Sequence, residues 1–134
     1  EVHISKESMF NTPPCFSIYT TMLTLEWVKK LGGVKEMKKR NLAKSSLLYQ
    51  EIDRNSLFEG TARTEDRSVM NPTFILRNDS LNEEFLKKSI EAGISGIKGH
   101  RSVGGFRASM YNALGIESVY ALVDVMKEFE KIKG

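Results

Sequence analysis

Leu57-Phe58-Glu59-Gly60-Thr61-Ala62-Arg63, a polar turn, then Ser68 to Leu76: this stretch interrupts a chain that otherwise reads as helix from Pro13 to Arg54. Both runs are short, carry apolar, aromatic and β-branched residues, and end in turn-forming residues, so each predicts a strand. Pro72 inside the second run lacks an N–H for the ladder, which predicts an edge position or a bulge there. Two strands planted in a helical pattern decide the class. The chain is α+β, not all-α.

Upstream, Asn11-Thr12-Pro13-Pro14 is a helix-start signal, with Thr12 as the expected N-cap and Pro13 as the first helical residue. Glu1 to Phe10 has no period and reads as extended. Phe16, Ile18, Tyr19, Met22, Leu23, Leu25, Trp27 and Val28 then define a long helix, which Gly32-Gly33 stops. A second helix runs from Val34 to about Arg54. Its expected inward residues are Met37, Leu42, Leu47, Leu48, Tyr49 and Ile52, and Lys35, Lys38, Lys39 and Arg40 form a solvated face.

Downstream, Ser80-Leu81-Asn82-Glu83 has the form of a capping box for a third helix, Leu81 to Ala92, closed by Gly93. Ile94 to Lys98 and Phe106 to Tyr111 are expected as brief strands flanking a glycine-rich turn. The last helix is expected from Ile116 to about Lys133, with Val119, Leu122, Val123, Met126 and Phe129 on one face. The order ααββαββα predicts a two-layer α+β domain, a mostly antiparallel sheet packed against helices.

Composition narrows the function. With 134 residues and 40% hydrophobic content, the chain is long enough for one domain with a real core. A net charge of +3, with both signs interspersed, argues against a nucleic-acid binder. The apolar run Phe16 to Leu31 is broken by Ser, Thr, Glu and Lys, so no membrane span is expected. A single cysteine, Cys15, excludes an internal disulfide, and no His, Cys, Asp and Glu grouping has metal-ligand spacing.

The chemistry concentrates between Lys98 and Arg107, in the order Lys98-Gly99-His100-Arg101-Ser102-Val103-Gly104-Gly105-Phe106-Arg107. Two guanidinium forks and an imidazole lie among glycines that let backbone approach a ligand, and no carboxylate interrupts the window. This suits a doubly charged anion, the plainer alternative being a solvated surface loop. The start of the first long helix, at Asn11 and Thr12, is a second anion-facing feature, because free N–H groups and the helix dipole favour phosphate there. Its plainer alternative is an ordinary cap.

Three blocks resemble phosphoserine aminotransferase: Asn11-Thr12-Pro13-Pro14-Cys15-Phe16, Arg67-Ser68-Val69-Met70-Asn71, and the run from Lys98 through Arg107 to Ala113. Gly115-Ile116-Glu117-Ser118-Val119 fits the same pattern, and the resemblance covers nearly the whole chain. Members of that family are considerably longer. The resemblance implies residues 1–12 as the end of a large cofactor-binding domain and 13–134 as the C-terminal small domain of a fold-type-I aminotransferase.

It further implies a cytoplasmic homodimer that uses pyridoxal 5′-phosphate (PLP) to exchange an amino group between glutamate and 3-phosphohydroxypyruvate, yielding phosphoserine and 2-oxoglutarate for serine biosynthesis. In bacteria the same enzyme type is implicated in vitamin B6 (pyridoxine) synthesis. By the family pattern, Asn11 and Thr12 bind the PLP phosphate in the partner subunit's site. His100 and Arg101 bind the substrate phosphate, and Arg107 its α-carboxylate. No metal and no nucleic acid enter this reading. The family's Schiff-base lysine lies outside these residues, so the segment alone is expected to be inactive and, with apolar surface bare around the first helix, to self-associate. Pro72 stands where the family more often has an aliphatic residue. Two rivals remain: a stand-alone anion-binding module without catalysis, and, more weakly, a nucleic-acid-binding domain.

Overall fold

The computed structural model describes all 134 residues. They form two compact units, residues 1–37 and 38–134.

In the first unit, the stretch expected to be extended contains a four-residue helix, α1 (Val2–Ser5), closed by a Ser5 hydroxyl donating to the Val2 carbonyl at 3.0 Å. The long helix α2 runs Cys15–Lys30, later than expected, and Thr12 does not cap it; Pro14 occupies that position without a side-chain bond. The double proline explains the delay. Thr12 and Pro13 each precede a proline, which disfavours helical backbone at both, and the Cys15 N–H turns back to the Pro13 carbonyl at 2.9 Å. Gly32 and Gly33 end the helix at φ +105° and +75°, as expected. No residue of α2 is buried.

Helix α3 (Gly33–Arg54) leads into the second unit. Met37, Leu48 and Ile52 are buried, Leu47 and Tyr49 half-buried, and Leu42 exposed, while Lys35, Lys38, Lys39 and Arg40 are exposed as expected. The sheet has the antiparallel order β1-β2-β3, from β1 (Phe58–Gly60), β2 (Thr73–Leu76) and β3 (Phe106–Arg107). Phe58 pairs with Leu76, and Thr73 with Arg107.

Each strand is shorter than its sequence pattern. Ser68 Oγ accepts the N–H groups of Met70 and Asn71, which makes residues 68–71 a turn. Pro72 therefore sits just ahead of β2, the central strand, and neither at an edge nor in a bulge. Its missing N–H falls outside the ladder, and its carbonyl accepts from Ala108 at 2.9 Å. Ile94 to Lys98 contributes only a bridge from Lys98 to Phe106.

Helix α4 (Asn82–Glu91) is not opened by Ser80. Asn78 Oδ1 accepts the Ser80 N–H at 3.1 Å, which makes a 3-10 turn, Asp79–Leu81, that runs into the helix. Helix α5 spans Ile116–Lys133, with Val119, Leu122, Val123, Met126 and Phe129 buried as the spacing predicts.

The core is built around Phe85. Its ring lies 5.0 Å from Phe58, 5.1 Å from Phe106 and 5.4 Å from Phe129. These contacts join α4, β1, β3 and α5, and each such pair is worth about 0.5–1.5 kcal/mol beyond area burial. A polar seam runs beside it. Asn55 donates to Glu51 at 2.8 Å, and Glu130 of α5 accepts the Ser56 N–H at 2.6 Å and the Arg54 guanidinium at 2.6 Å. Phe106, at the root of the glycine turn, is thus anchored from behind.

Candidate functional site

The backbone between Lys98 and Phe106 closes on itself. The Gly99 N–H donates to the Gly105 carbonyl at 2.8 Å, and the His100 carbonyl accepts the N–H groups of Val103 and Gly104 at 2.9 and 2.8 Å. Two glycines are compulsory here. A Cβ on Gly99 would collide with the Gly104 carbonyl. Gly105, at φ +62°, would place one 2.8 Å from Ile75 Cγ2 and 2.9 Å from the Phe74 carbonyl.

On this frame His100 and Arg101 are exposed and line one recess of about 270 Å³, together with Lys98, Gly104 and the start of α4 at Asn82 and Glu83. The recess therefore holds a lysine, a guanidinium and an imidazole against one carboxylate. Arg101 and Arg107, like Arg63, have no carboxylate partner, whereas Arg54, Arg67 and Arg77 are paired. A guanidinium with no internal carboxylate is available to pair with a phosphate or carboxylate.

Ser102, which the sequence reading passed over, sets the face that His100 presents. Its N–H donates to His100 Nδ1 at 3.3 Å, and its Oγ lies 2.6 Å from the same nitrogen. A backbone N–H can only donate, so this contact favours the tautomer with the proton on Nε2. That leaves Nε2–H for a ligand oxygen.

Arg107 is placed differently. It is exposed on β3, on the sheet face opposite buried Phe106, pairs through its backbone with Thr73, and does not line the recess. His100 and Arg101 thus line the recess, while Arg107 stands outside it on the same hairpin.

In the other unit, Asn11 and Thr12 are both exposed and precede the uncapped N-terminus of α2. A sixteen-residue helix with no side-chain cap leaves first-turn N–H groups available. This donor set fits a cofactor phosphate, and it offers no lysine amine for the rest of such a group.

The one buried lysine of the chain is Lys44, 2% exposed. Its ammonium donates to the carbonyls of Met110 at 3.1 Å, Tyr111 at 2.8 Å and Leu114 at 3.1 Å. Burial pushes its pKa down, yet all three protons are spent on carbonyls, so it is no free amine. Its position was readable: 37, 41, 44, 48 and 52 form one helical stripe, and all five are buried. No cluster of His, Cys, Asp and Glu could hold a metal ion, and no helix is long and apolar enough to cross a membrane.

Comparison with known proteins is consistent from sequence to structure. Residues 2–122 match the aminotransferase class-V family. The phosphoserine aminotransferase of Flavobacterium psychrophilum is 62% identical over 130 residues, 97% of this chain and 36% of that protein. The chain spans little more than a third of the curated relatives it matches. Among solved structures, phosphoserine aminotransferase from Bacillus circulans subsp. alkalophilus superposes with a TM-score of 0.91 at 42% identity, covering 98% of this chain and 37% of that one. The PLP-bound phosphoserine aminotransferase of Trichomonas vaginalis gives 0.85 at 36% identity, covering 94% and 36%. These likenesses span both units.

Proposed function

The chain belongs to the aminotransferase class-V family, and from that premise we propose that it is the C-terminal portion of a phosphoserine aminotransferase. The parent protein exchanges an amino group between glutamate and 3-phosphohydroxypyruvate, on the route to serine, as a cytoplasmic PLP-dependent homodimer. Residues 1–12 close its large domain and 13–134 make its small one.

One observation carries the reading: His100 and Arg101 on a glycine-locked turn, lining a recess, with no internal carboxylate on Arg101. Charge-assisted bonds from both to a substrate phosphate, and from Arg107 to the α-carboxylate, hold the substrate at its two ends. That fixes the reacting carbon and converts binding into proximity. Asn11 and Thr12 hold the phosphate of PLP across the subunit boundary. When bound, PLP supplies the electron sink for amino transfer. The lysine that carries it is outside these residues, so this segment alone does not turn over.

The parent protein, assayed with PLP, glutamate and 3-phosphohydroxypyruvate, should transaminate, and residues 1–134 alone should not. Arg101→Leu in the parent should lower kcat/KM for the phosphorylated substrate about ten- to a hundredfold, the equivalent of one or two charge-assisted bonds. A parent that binds phosphate tightly but moves no amino group would instead identify a binding module.

A further inference from the structure

We propose that Lys44 is a positioning residue for Arg107, acting through the 110–114 turn that follows it; this rests on the reading of Arg107 as the carboxylate-binding group. Strand β3 is only two residues long, too little ladder to hold a guanidinium at fixed height. The chain around it is secured instead by single bonds. Arg107 N–H donates to the Ile97 carbonyl at 2.8 Å, Ala108 N–H to Pro72 at 2.9 Å and Met110 N–H to Met70 at 2.7 Å.

Beyond Met110 the chain has no ladder, and there α3 takes over. Lys44 gathers the carbonyls of Met110, Tyr111 and Leu114 onto one ammonium, while Asn41, one turn earlier and also buried, donates to Asn112 Oδ1 at 2.8 Å. Burying an ammonium is costly unless every proton finds an acceptor. A methionine or leucine would fill the same space without that cost, so a lysine here is explained by what it holds. Three residues of chain separate Arg107 from Tyr111, and so short a tether transmits displacement of the turn to the strand.

The test uses the parent protein, with Lys44→Met as the main variant and glutamate, phosphoserine and inorganic phosphate as probes. Both amino-acid substrates carry an α-carboxylate. KM for each should rise about tenfold with kcat within about threefold, while inhibition of the PLP-loaded parent by inorganic phosphate, directed to His100 and Arg101, stays unchanged. Amide exchange at Ala108 and Met110 should quicken, with Phe74 still protected. Unchanged KM values in a folded variant overturn the proposal, as does an equal weakening of phosphate inhibition, which would mean general loosening. If Lys44→Met does not fold, Asn41→Ala decides by the same ratios, expected near threefold. A wild-type parent without transamination defeats the functional reading itself, a distinct outcome.

Discussion

Residues 38–134 and residues 1–37 treat their apolar side chains in opposite ways. In the first region Phe58, Phe74, Phe85, Phe106 and Phe129 are at most 4% exposed. In the second, helix α2 buries nothing, and Phe16 is 80% and Leu25 63% exposed. The larger unit has the means to specify its own fold: an aromatic core, a three-stranded sheet and a polar seam between α3 and α5. Helix α2 has regular backbone bonds and side-chain hydroxyls turned onto them, as Thr21 to Ser17 at 2.8 Å and Thr24 to Thr20 at 2.9 Å. A helix that draws nothing from burial is marginal in water at this length. Its sequence serves a surface rather than a core.

The contrast breaks most sharply at Phe85. Phe85→Ala should destabilise residues 38–134 by about 3–5 kcal/mol, the range for deleting a fully buried aromatic ring, measured by denaturant unfolding. Because the ring backs Phe106, phosphate binding at the His100–Arg101 turn should weaken with it. A loss below about 1 kcal/mol would mean that the aromatic cluster does not organise this unit.

A smaller effect separates the same regions by pH. The Arg67 guanidinium, bonded to Asp53 twice at 2.7 Å and lying 4.6 Å over the Tyr49 ring, holds the Asp53 carboxyl below its ordinary value of 3.8. Glu130 is likewise lowered, first by the Ser56 N–H and then by Arg54. As pH falls past the ordinary carboxylate range, the unfolded chain takes up these protons first. The stabilisation is therefore complete above that range and disappears as pH drops through the folded values. Asp53 is half exposed, so the pair is worth under about 1 kcal/mol. Asp53→Asn should flatten the acid limb of the stability curve in the unit that contains α3 and leave the neutral region nearly unchanged. An unaltered acid limb would show that the pair contributes nothing.

How far the sequence foretold this depends on whether a residue answers to local or distant partners. Helix α5 was legible to the residue because its apolar period is strong and Gly115 and Gly134 bound it. The glycine stop after α2 was legible for the same local reason. The caps were not: Thr12 lost its role to the proline pair and Ser80 to Asn78, each decided by a neighbour one or two positions away. Strand β3 shrank because pairing is set by residues 34 positions apart, Thr73 with Arg107. At the site, His100 and Arg101 could be singled out by type and come together in the recess, whereas Arg107 stands on another face. Lys44 was hidden by its own chemistry, since a lysine on a helix is read as solvated unless its place on the buried stripe is weighed first.

The smallest expected change in stability belongs to α2, and it sharpens the comparison from the other side. Phe16→Ser together with Leu25→Ser removes two of the most exposed apolar side chains in the chain. Neither is packed, so unfolding of residues 38–134 should move by less than about 0.5 kcal/mol, the usual range for surface substitutions. Association is where the substitutions should register. A bare helix that exposes Phe16, Tyr19, Met22, Leu23 and Leu25 around its surface favours contact with other apolar surface, so the 134-residue segment should sediment with a concentration-dependent mass that the double variant reduces toward the monomer. Equal masses for both at every concentration would show that this face drives no association. A stability loss comparable to that of Phe85→Ala would show that α2 is packed after all, and the division between a self-sufficient unit and a surface-directed helix would fail.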